Sequence, residues 1–370
     1  MKKSFVTSAA IQTLPLWKRM EKKRLLFSFE MEITARCNNN CRHCYINLPA
    51  NDKKAIKEEL SLEELKGIID ESISLGAFWC LLTGGEPLLR QDFFDIYLYL
   101  KKKGILVSVF TNAALINHRH IRLFKEYPPR DIEITVYGVT EATYEKVTRR
   151  KGSFSAFMRG LNLLLQNGIK VRFKAMALRS NVHELTEISR FCRKRTKDYF
   201  RFDPLLHLRF DGNQKKNLEI QRERLSPQEI ATLEQNDKER FQILQKNRDH
   251  LINTQLSPLD CDHLFHCGAG NGTFSLSYNG LFRLCSSLWH TDCIYDLKKG
   301  NLTDAWFKFV SKVRGMRPNQ KELFKKCRLC PLINLCLWCP AHNYLETGKM
   351  DAMPTDYFCE VARARAEALK

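Results

Sequence analysis

From about Phe27 to Leu208, short apolar or β-branched runs alternate with longer amphipathic ones. FSFEMEIT (27–34) predicts a strand. SLEELKGIIDESISLG (61–76) opens on Ser61 with Glu64 three residues later, a capping-box signature, and keeps helical period to Gly76. AFWCLLT (77–83) predicts a strand, QDFFDIYLYLKKKG (91–104) a helix closing on Gly104, and ILVSVFT (105–111) a third strand. A helix around 117–126, strand DIEITVY (131–137), helix FSAFMRGLNLLLQNG (154–168) and strand IKVRFKAMAL (169–178) follow. Helix NVHELTEISRFCRKR (181–195) leads to a last strand near YFRFDPLL (199–206). Six strands separated by five helical segments predict an α/β fold on a parallel sheet, and both a doubly wound sheet and a partial (β/α) barrel fit that pattern.

Past this repeat the pattern changes twice. Residues 213–255 are polar, with Pro227 opening a helical stretch, and read as a helical connector. From Cys261 onward periodicity fades and cysteines crowd together, so this region is expected to build little core and to need metal staples. No run approaches the ~20 apolar residues of a membrane span, and the start of the chain lacks the compact apolar stretch and cleavage site of a signal peptide.

Composition then narrows the chemistry. The 370 residues carry a formal net charge of +19, read mainly as solvated surface and secondarily as a field favouring an acidic partner. The 14 cysteines lie in short-spaced groups and nothing routes the chain outside the cell, so cytoplasmic metal binding is expected rather than disulfides.

Directly after the first strand, TARCNNNCRHCYINLP sets Cys37, Cys41 and Cys44 at C-x3-C-x2-C spacing. A structural zinc knuckle normally takes four ligands, and His43 is the alternative fourth here. Iron–sulfur clusters use thiolates at similar spacings, and with three of them one iron keeps an open position. After the second strand comes TGGEP (83–87), where Gly84 and Gly85 permit close approach of backbone to a ligand and Glu86 offers a carboxylate. In a barrel, chemistry sits on such loops after the strands.

These motifs together resemble the radical S-adenosylmethionine (SAM) superfamily. The resemblance implies a partial (β/α)6 TIM-like barrel in which Cys37, Cys41 and Cys44 ligate a [4Fe–4S] cluster and Gly84, Gly85 and Glu86 hold the methionyl amino group of SAM. It further implies His43 near the adenine and Asn112 lining the cofactor pocket. Thr135 stands at the ribose position, where relatives often carry Ser-Ile-Asp-Gly and this chain has TVYG (135–138), and Lys174 or Arg172 stands near the SAM carboxylate. In that family reductive cleavage of SAM gives a 5′-deoxyadenosyl radical that abstracts hydrogen from substrate.

The C-terminal region reads CDHLFHC (261–267), GLFRLC (280–285), CRLCPLINLCLWC (327–339) and Cys359. Taken alone, Cys327, Cys330, Cys336 and Cys339 fit a zinc ribbon. Beside the first motif the region resembles the SPASM extension, a small Cys-rich iron–sulfur domain, with Cys339 at x2 where the pattern has x3. The resemblance implies two auxiliary [4Fe–4S] clusters. Cys261, Cys267, Cys285 and Cys339 would hold one, Cys327, Cys330, Cys336 and Cys359 the other, with Cys293 a substitute ligand. Cys80 and Cys192 lie in apolar strand and helix patterns and read as core. The expected organisation is an N-terminal extension (1–26), a radical SAM core (27–212), the connector (213–258) and a SPASM-like domain (259–370).

Relatives with SPASM domains mostly modify peptides or proteins, so the resemblance implies a peptide maturase, oxidoreductase in type. It would draw electrons from a flavodoxin- or ferredoxin-type donor and act on a possibly acidic peptide. About 26 residues precede the first strand, so leader recognition is expected to need a separate protein or another surface. Ser286 stands where sulfatase-maturing relatives carry an Asp base, and no catalytic acid or base is assigned. Two alternatives stay open: a radical SAM enzyme acting on a small molecule, and a zinc protein that binds nucleic acid.

Overall fold

The protein, in a computed structural model, is described for residues 24–252, 263–320, 326–327, 330–336 and 338–370. Six strands build the first part of its sheet: β1 (Ser28–Thr34), β2 (Trp79–Gly84), β3 (Leu106–Thr111), β4 (Asp131–Thr135), β5 (Val171–Met176) and β6 (Arg201–Asp203). They lie side by side in chain order, each parallel to the next. A doubly wound sheet would reverse its order at a switch point. Sequential order with right-handed crossovers keeps the helices on one face and lets the sheet curl around the other. The fold is a partial parallel barrel.

Its two faces differ in chemistry. Phe29, Met31 and Ile33 of β1, Leu82 of β2, Val107 and Val109 of β3, and Ile132 and Ile134 of β4 are buried in one continuous core. Side chains alternate across a strand, so the intervening positions point inward. Glu30, Thr83, Phe110, Thr135, Lys174 and Asp203 accordingly line an inner chamber. Cys80 and Cys192 belong to the core, as expected from their apolar surroundings.

The outer layer consists of α1 (Leu62–Ser74), α2 (Phe93–Lys102), α3 (His118–Glu126), α4 (Glu141–Thr148), α5 (Ser153–Gln166) and α6 (Leu185–Arg195). Ser61 and Glu64 close the capping box of α1 reciprocally, satisfying two N–H groups the helix leaves open. Helix α4 was not expected from the sequence; at eight residues it is too short for a clear helical period.

The C-terminal region does more than staple itself. Strands β7 (Thr273–Leu276), β8 (Leu281–Arg283) and β9 (Tyr295–Asp296) extend the sheet beyond β1. β7 runs parallel to β1, and β8 and β9 follow antiparallel. Phe274 of β7 stacks on Phe29 at 5.7 Å and on Phe282 at 4.8 Å, which carries the barrel core into this region. Burying each such side chain contributes roughly 1.5–3 kcal/mol.

The connector is helical, with α7 (Gln214–Glu223), α8 (Pro227–Asn236) and α9 (Lys238–Lys246). The chain closes with α10 (Pro340–Thr347) and α11 (Asp356–Ala368). Arg365 of α11 grips Glu234 of α8 through two hydrogen bonds of 2.9 and 2.8 Å, both side chains being buried. Among the described residues no helix is long and apolar enough to cross a membrane.

Candidate functional site

The first cysteine group sits on the loop leaving the C-terminal end of β1. Arg36–Cys37 pairs in parallel with Leu48–Pro49, closing the neck of that loop. Arg36 is held at the neck by Glu59 at 2.7 Å. The buried Arg209 donates from Nη1 to the carbonyls of Cys44 (3.4 Å) and Asn47 (3.3 Å). From the far side, the end of α4 receives the Asn40 N–H on Thr148 O (2.9 Å) and the Arg42 N–H on Val147 O (3.1 Å). Neither Arg209 nor α4 was foreseen as a clamp, since neither lies near the motif in sequence.

Within this loop Cys37, Cys41 and Cys44 face one another. Burial pushes the Cys37 thiol up to about 12, with the Glu86 carboxylate and Cys44 adding to it. Cys41 is driven well above its usual range by burial and then by Cys44 and Cys37, against a hydrogen bond from Tyr137. Cys44 is raised by burial. Three thiols so placed hold their protons in the bare protein, and a cationic centre is what would favour their thiolates. Beside them Asn38 Nδ2, Asn39 Oδ1 and His43 Nδ1 are buried without a hydrogen-bond partner. Such orphaned groups fit a bound cofactor.

Among the described residues no three His, Cys, Asp or Glu side chains converge as a single metal ion requires. Tetrahedral zinc would draw its sulfurs to within about 4 Å of one another. A four-iron cluster is a larger body and spreads its thiolates further. Three thiols with orphaned polar groups beside them fit a cluster that keeps one iron open.

The Gly84–Gly85 pair has a reason different from the expected one. Gly84 has φ +133, and a Cβ there would stand 2.1 Å from Thr34 O; one on Gly85 would stand 2.3 Å from Arg36 O. The glycines let the end of β2 approach the end of β1, where Gly85 N donates to Thr34 O (2.7 Å) and Glu86 N to Arg36 O (2.8 Å). Both glycines also line the chamber.

Glu86 departs from expectation more sharply. Its fully buried carboxylate accepts from the Thr111 hydroxyl (2.7 Å), Asn112 N (2.7 Å) and Leu88 N (3.2 Å). Burial still lifts it to about 7. It is committed to tying β2 to β3, so the part of this motif that faces the chamber is the glycine pair. Asn112, held by Glu86, places its Nδ2 at 2.7 Å from Asn38 Oδ1 and 3.8 Å from Cys37 Sγ.

These elements surround a chamber of about 680 Å³. Its wall includes Cys37, Cys41, Cys44, His43, Asn112 and Thr135. His43 lies 5.3 Å from the Tyr137 ring and is held down to about 4 by burial, hence neutral. Tyr137, passed over in the sequence as an apolar strand end, also lines the wall. Lys174 reaches the chamber, paired with Glu133 at 3.0 Å and lying 4.2 Å over the Phe110 ring. Arg172 does not reach it and pairs with Asp131 at 3.5 Å. A second cavity of about 680 Å³, bounded by Arg24, Phe27, Gly272 and Arg314, has no cysteine among the described residues of its wall.

The described C-terminal cysteines separate into two neighbourhoods. Cys339 is raised to about 12 by burial and also by Cys285 and Cys267, so those three sulfurs are close. Cys327 is raised to about 11 by burial and then by Cys359, Cys336 and Cys330. Cys261, expected with the first group, lies outside the described residues. Cys293 borders the first neighbourhood: burial, with Asp292 and Cys285 adding to it, lifts its thiol to about 12, and its sulfur packs 3.7 Å from Met350 Sδ and 3.8 Å from Met316 Sδ. The chamber continues toward the first neighbourhood through Ser286, Ser287 and His342, whose N–H lies 3.4 Å from Cys339 Sγ.

Residues 31–192 match the model of the radical SAM superfamily. The chain is similar to Fe-coproporphyrin III synthase of Methanosarcina barkeri, 35% identical over 156 residues. That match spans 42% of this chain and only 38% of the relative. The AdoMet-dependent heme synthase of the same organism is 22% identical over 352 residues, covering 89% of this chain and 94% of that one. Among solved structures, Streptococcus suis SuiB bound to the precursor peptide SuiA superposes with a TM-score of 0.67 at 14% identity. It covers 92% of this chain and 78% of that one, a likeness of fold.

Proposed function

We propose that this chain, whose residues 31–192 match the model of the radical SAM superfamily, is a radical SAM enzyme that abstracts hydrogen from a peptide or protein substrate held in the barrel chamber. The observation that carries the reading is the meeting of Cys37, Cys41, Cys44, Gly84, Gly85 and Asn112 on one chamber wall. In this reading Cys37, Cys41 and Cys44 hold a [4Fe–4S] cluster. His43, Gly84, Gly85 and Asn112 contact SAM directly, and Glu86 acts through Asn112. Bound together, such a cluster and SAM supply a carbon radical at the 5′ position of the nucleoside.

The chain's own contribution is positioning and exclusion. Arg209 and the end of α4 fix the cysteine loop, and Tyr137 and Asn112 hold Cys41 and Cys37 in place. Phe110, Leu205 and Leu208 give the wall an apolar face that limits water, which protects a reactive centre. Bound SAM would supply the 5′ carbon that receives the hydrogen atom from a substrate carbon held against this wall. Cys267, Cys285 and Cys339 with Cys261, and Cys327, Cys330, Cys336 and Cys359, would hold two auxiliary clusters. Cys267, Cys285 and Cys339 lie toward the chamber end lined by Ser286, Ser287 and His342, and a cluster held there would supply an electron acceptor beside the substrate. The net charge of +19 suits an acidic partner, whether an electron donor of the flavodoxin or ferredoxin type or an acidic leader segment.

Peptide as substrate is favoured by the fold shared with SuiB, which is recorded with its precursor peptide over nearly the whole of this chain. A small-molecule substrate is the second reading, favoured by the end-to-end match to a heme synthase. Both are tested by incubating the anaerobically reconstituted protein with SAM and reductant and measuring 5′-deoxyadenosine. Adding peptides encoded beside the gene should raise turnover and change the peptide mass. Turnover raised by a tetrapyrrole but by no peptide would transfer the assignment to the second reading, and no 5′-deoxyadenosine under any condition would reject both.

A further inference from the structure

One end of the chamber carries a polar group that the radical chemistry above does not use. Glu30 projects inward from β1 into the chamber. It makes no hydrogen bond or ion pair among the described residues. Its cross-strand partners are Ser275 on β7 and Leu81 on β2, and Ser275 is in turn opposite Arg283 on β8. Paired residues share a face of the sheet, so Glu30, Ser275 and Arg283 form one row on the inner side, with Glu32 one step along β1.

Three atoms in this patch are buried and unpartnered: Glu32 Oε1, Ser275 Oγ and Arg283 Nε. Their residues are 1%, 1% and 0% exposed. Buried polar groups are seldom left unpaired, so three of them beside an unpaired carboxyl mark a place where something polar binds. The charges decide what. Arg283 is committed to Glu32, and Lys174, the nearest other cation, to Glu133 at 3.0 Å. With both Glu30 and Glu32 ionised the patch carries one negative charge more than Arg283 balances. Burial, then Glu32, lifts Glu30 to about 7 against the pull of Arg283 and Lys174. An arriving cation would relieve that.

We infer that this patch is a recognition pocket for a cationic hydrogen-bond donor of the substrate, an ammonium or guanidinium such as a lysine or arginine side chain carries. The inference rests on the chamber being the substrate site. Donors of the cation meet the Glu30 carboxylate, which lines the chamber, while the sealed Glu32 Oε1 and Ser275 Oγ behind it leave the row short of positive charge and of donors. Arg283 Nε, the donor in the row, takes water or a carbonyl oxygen. Glu30 is thereby a specificity residue, separate from the cysteine loop.

The test is calorimetric titration of the reconstituted holoprotein at pH 8 with saturating SAM and no reductant. The probes are the blocked tripeptides acetyl-Ala-Lys-Ala-amide, its Arg counterpart and acetyl-Ala-Gln-Ala-amide. The cationic peptides are expected to bind about ten-fold or more tightly than the Gln peptide, the worth of one charge-assisted hydrogen bond. Glu30→Gln should abolish that preference and Glu30→Asp should keep it. In the unaltered protein the preference should grow from pH 6 to pH 8, as Glu30, lifted to about 7 by burial and by Glu32 against Arg283 and Lys174, loses its proton. Equal binding of all three peptides, a preference that survives Glu30→Gln, or a preference that appears only when SAM is omitted would each overturn the inference. Formation of 5′-deoxyadenosine is measured separately. A protein that prefers cations but never cleaves SAM keeps the pocket and loses the proposed reaction; one that cleaves SAM and ignores charge loses the pocket alone.

Discussion

Glu32 of β1 and Arg283 of β8 form an ion pair at 2.5 Å with both side chains out of solvent. Arg283 also donates to Ser286 O at 2.6 Å and lies 3.6 Å over the Trp289 ring. One guanidinium therefore fastens the C-terminal strands to the barrel and fixes the Ser286–Trp289 segment along the chamber. Removing one partner of a buried pair strands the other charge, which costs about 3–5 kcal/mol. Arg283→Met should lower unfolding free energy by that much in denaturant titration. The double variant Glu32→Gln/Arg283→Met should regain most of it, since an unpaired charge is then no longer buried.

The glycine pair gives a sharper structural test. Gly85→Ala would press a methyl group to 2.3 Å from Arg36 O, so backbone must move at the neck of the cysteine loop. SAM affinity should fall about ten-fold or more while circular dichroism stays unchanged. Gly67→Ala is the control: nothing lies within 4 Å of its Cβ. In the interior of α1 that change should stabilise by about 0.5–1 kcal/mol without touching SAM binding.

The two C-terminal neighbourhoods predict which cysteines matter to iron. Cys339→Ala should lower iron per chain by about four after reconstitution. Cys293→Ala should leave iron content unchanged, because its sulfur packs against Met316 and Met350. Loss of iron in the Cys293 variant would make it a ligand and break the partition.

Four histidines, His120 buried and His43, His207 and His342 half-buried, give the fold an acid limit. His43, His120 and His207 are held down to about 4 and His342 to about 3, in each case first by burial. Their folded values lie below the unfolded value of 6.5, so unfolding takes up protons as pH falls. The stability they contribute is complete above about 6.5 and is lost as pH drops toward 4. Each contributes a slope approaching about 1.4 kcal/mol per pH unit near pH 5. His120 lies away from the cysteines, packed against Phe94 at 4.9 Å. His120→Gln should flatten the stability profile between pH 6 and 5 by about one proton's worth while leaving cluster content alone.

Much of the barrel was legible because its strands and helices are long enough to carry a period. Five of the six strands fall inside the expected runs, β2 passes the end of its run by one residue to Gly84, and the capping box at Ser61 forms as read. The choice between a barrel and a doubly wound sheet was also written in the strands. Glu30 and Glu32 between Phe29, Met31 and Ile33 are what a strand shows when one face packs on helices and the other meets a polar chamber. A sheet covered on both faces would read as a continuous apolar run. Strands β7 to β9 were missed because two to four residues carry no period, and their pairing with β1 is fixed by contacts distant in the chain. The roles of Arg209, Tyr137 and Glu86 were hidden for the same reason. Their partners lie on other strands and loops, and only the folded geometry discloses that the Glu86 carboxylate is spent on Thr111 and Asn112.

The central claim is that Cys37, Cys41 and Cys44 hold a four-iron cluster open to SAM. The most direct measurement is the electron paramagnetic resonance spectrum of the dithionite-reduced, anaerobically reconstituted protein before and after SAM is added, with iron counted on the same sample. The account predicts about twelve irons per chain and a cluster signal that shifts on adding SAM. In the Cys37→Ala/Cys41→Ala/Cys44→Ala variant about four irons and the whole SAM-dependent shift should be lost. A colourless protein carrying zinc and no iron, or a SAM-dependent shift that survives in that variant, would contradict it.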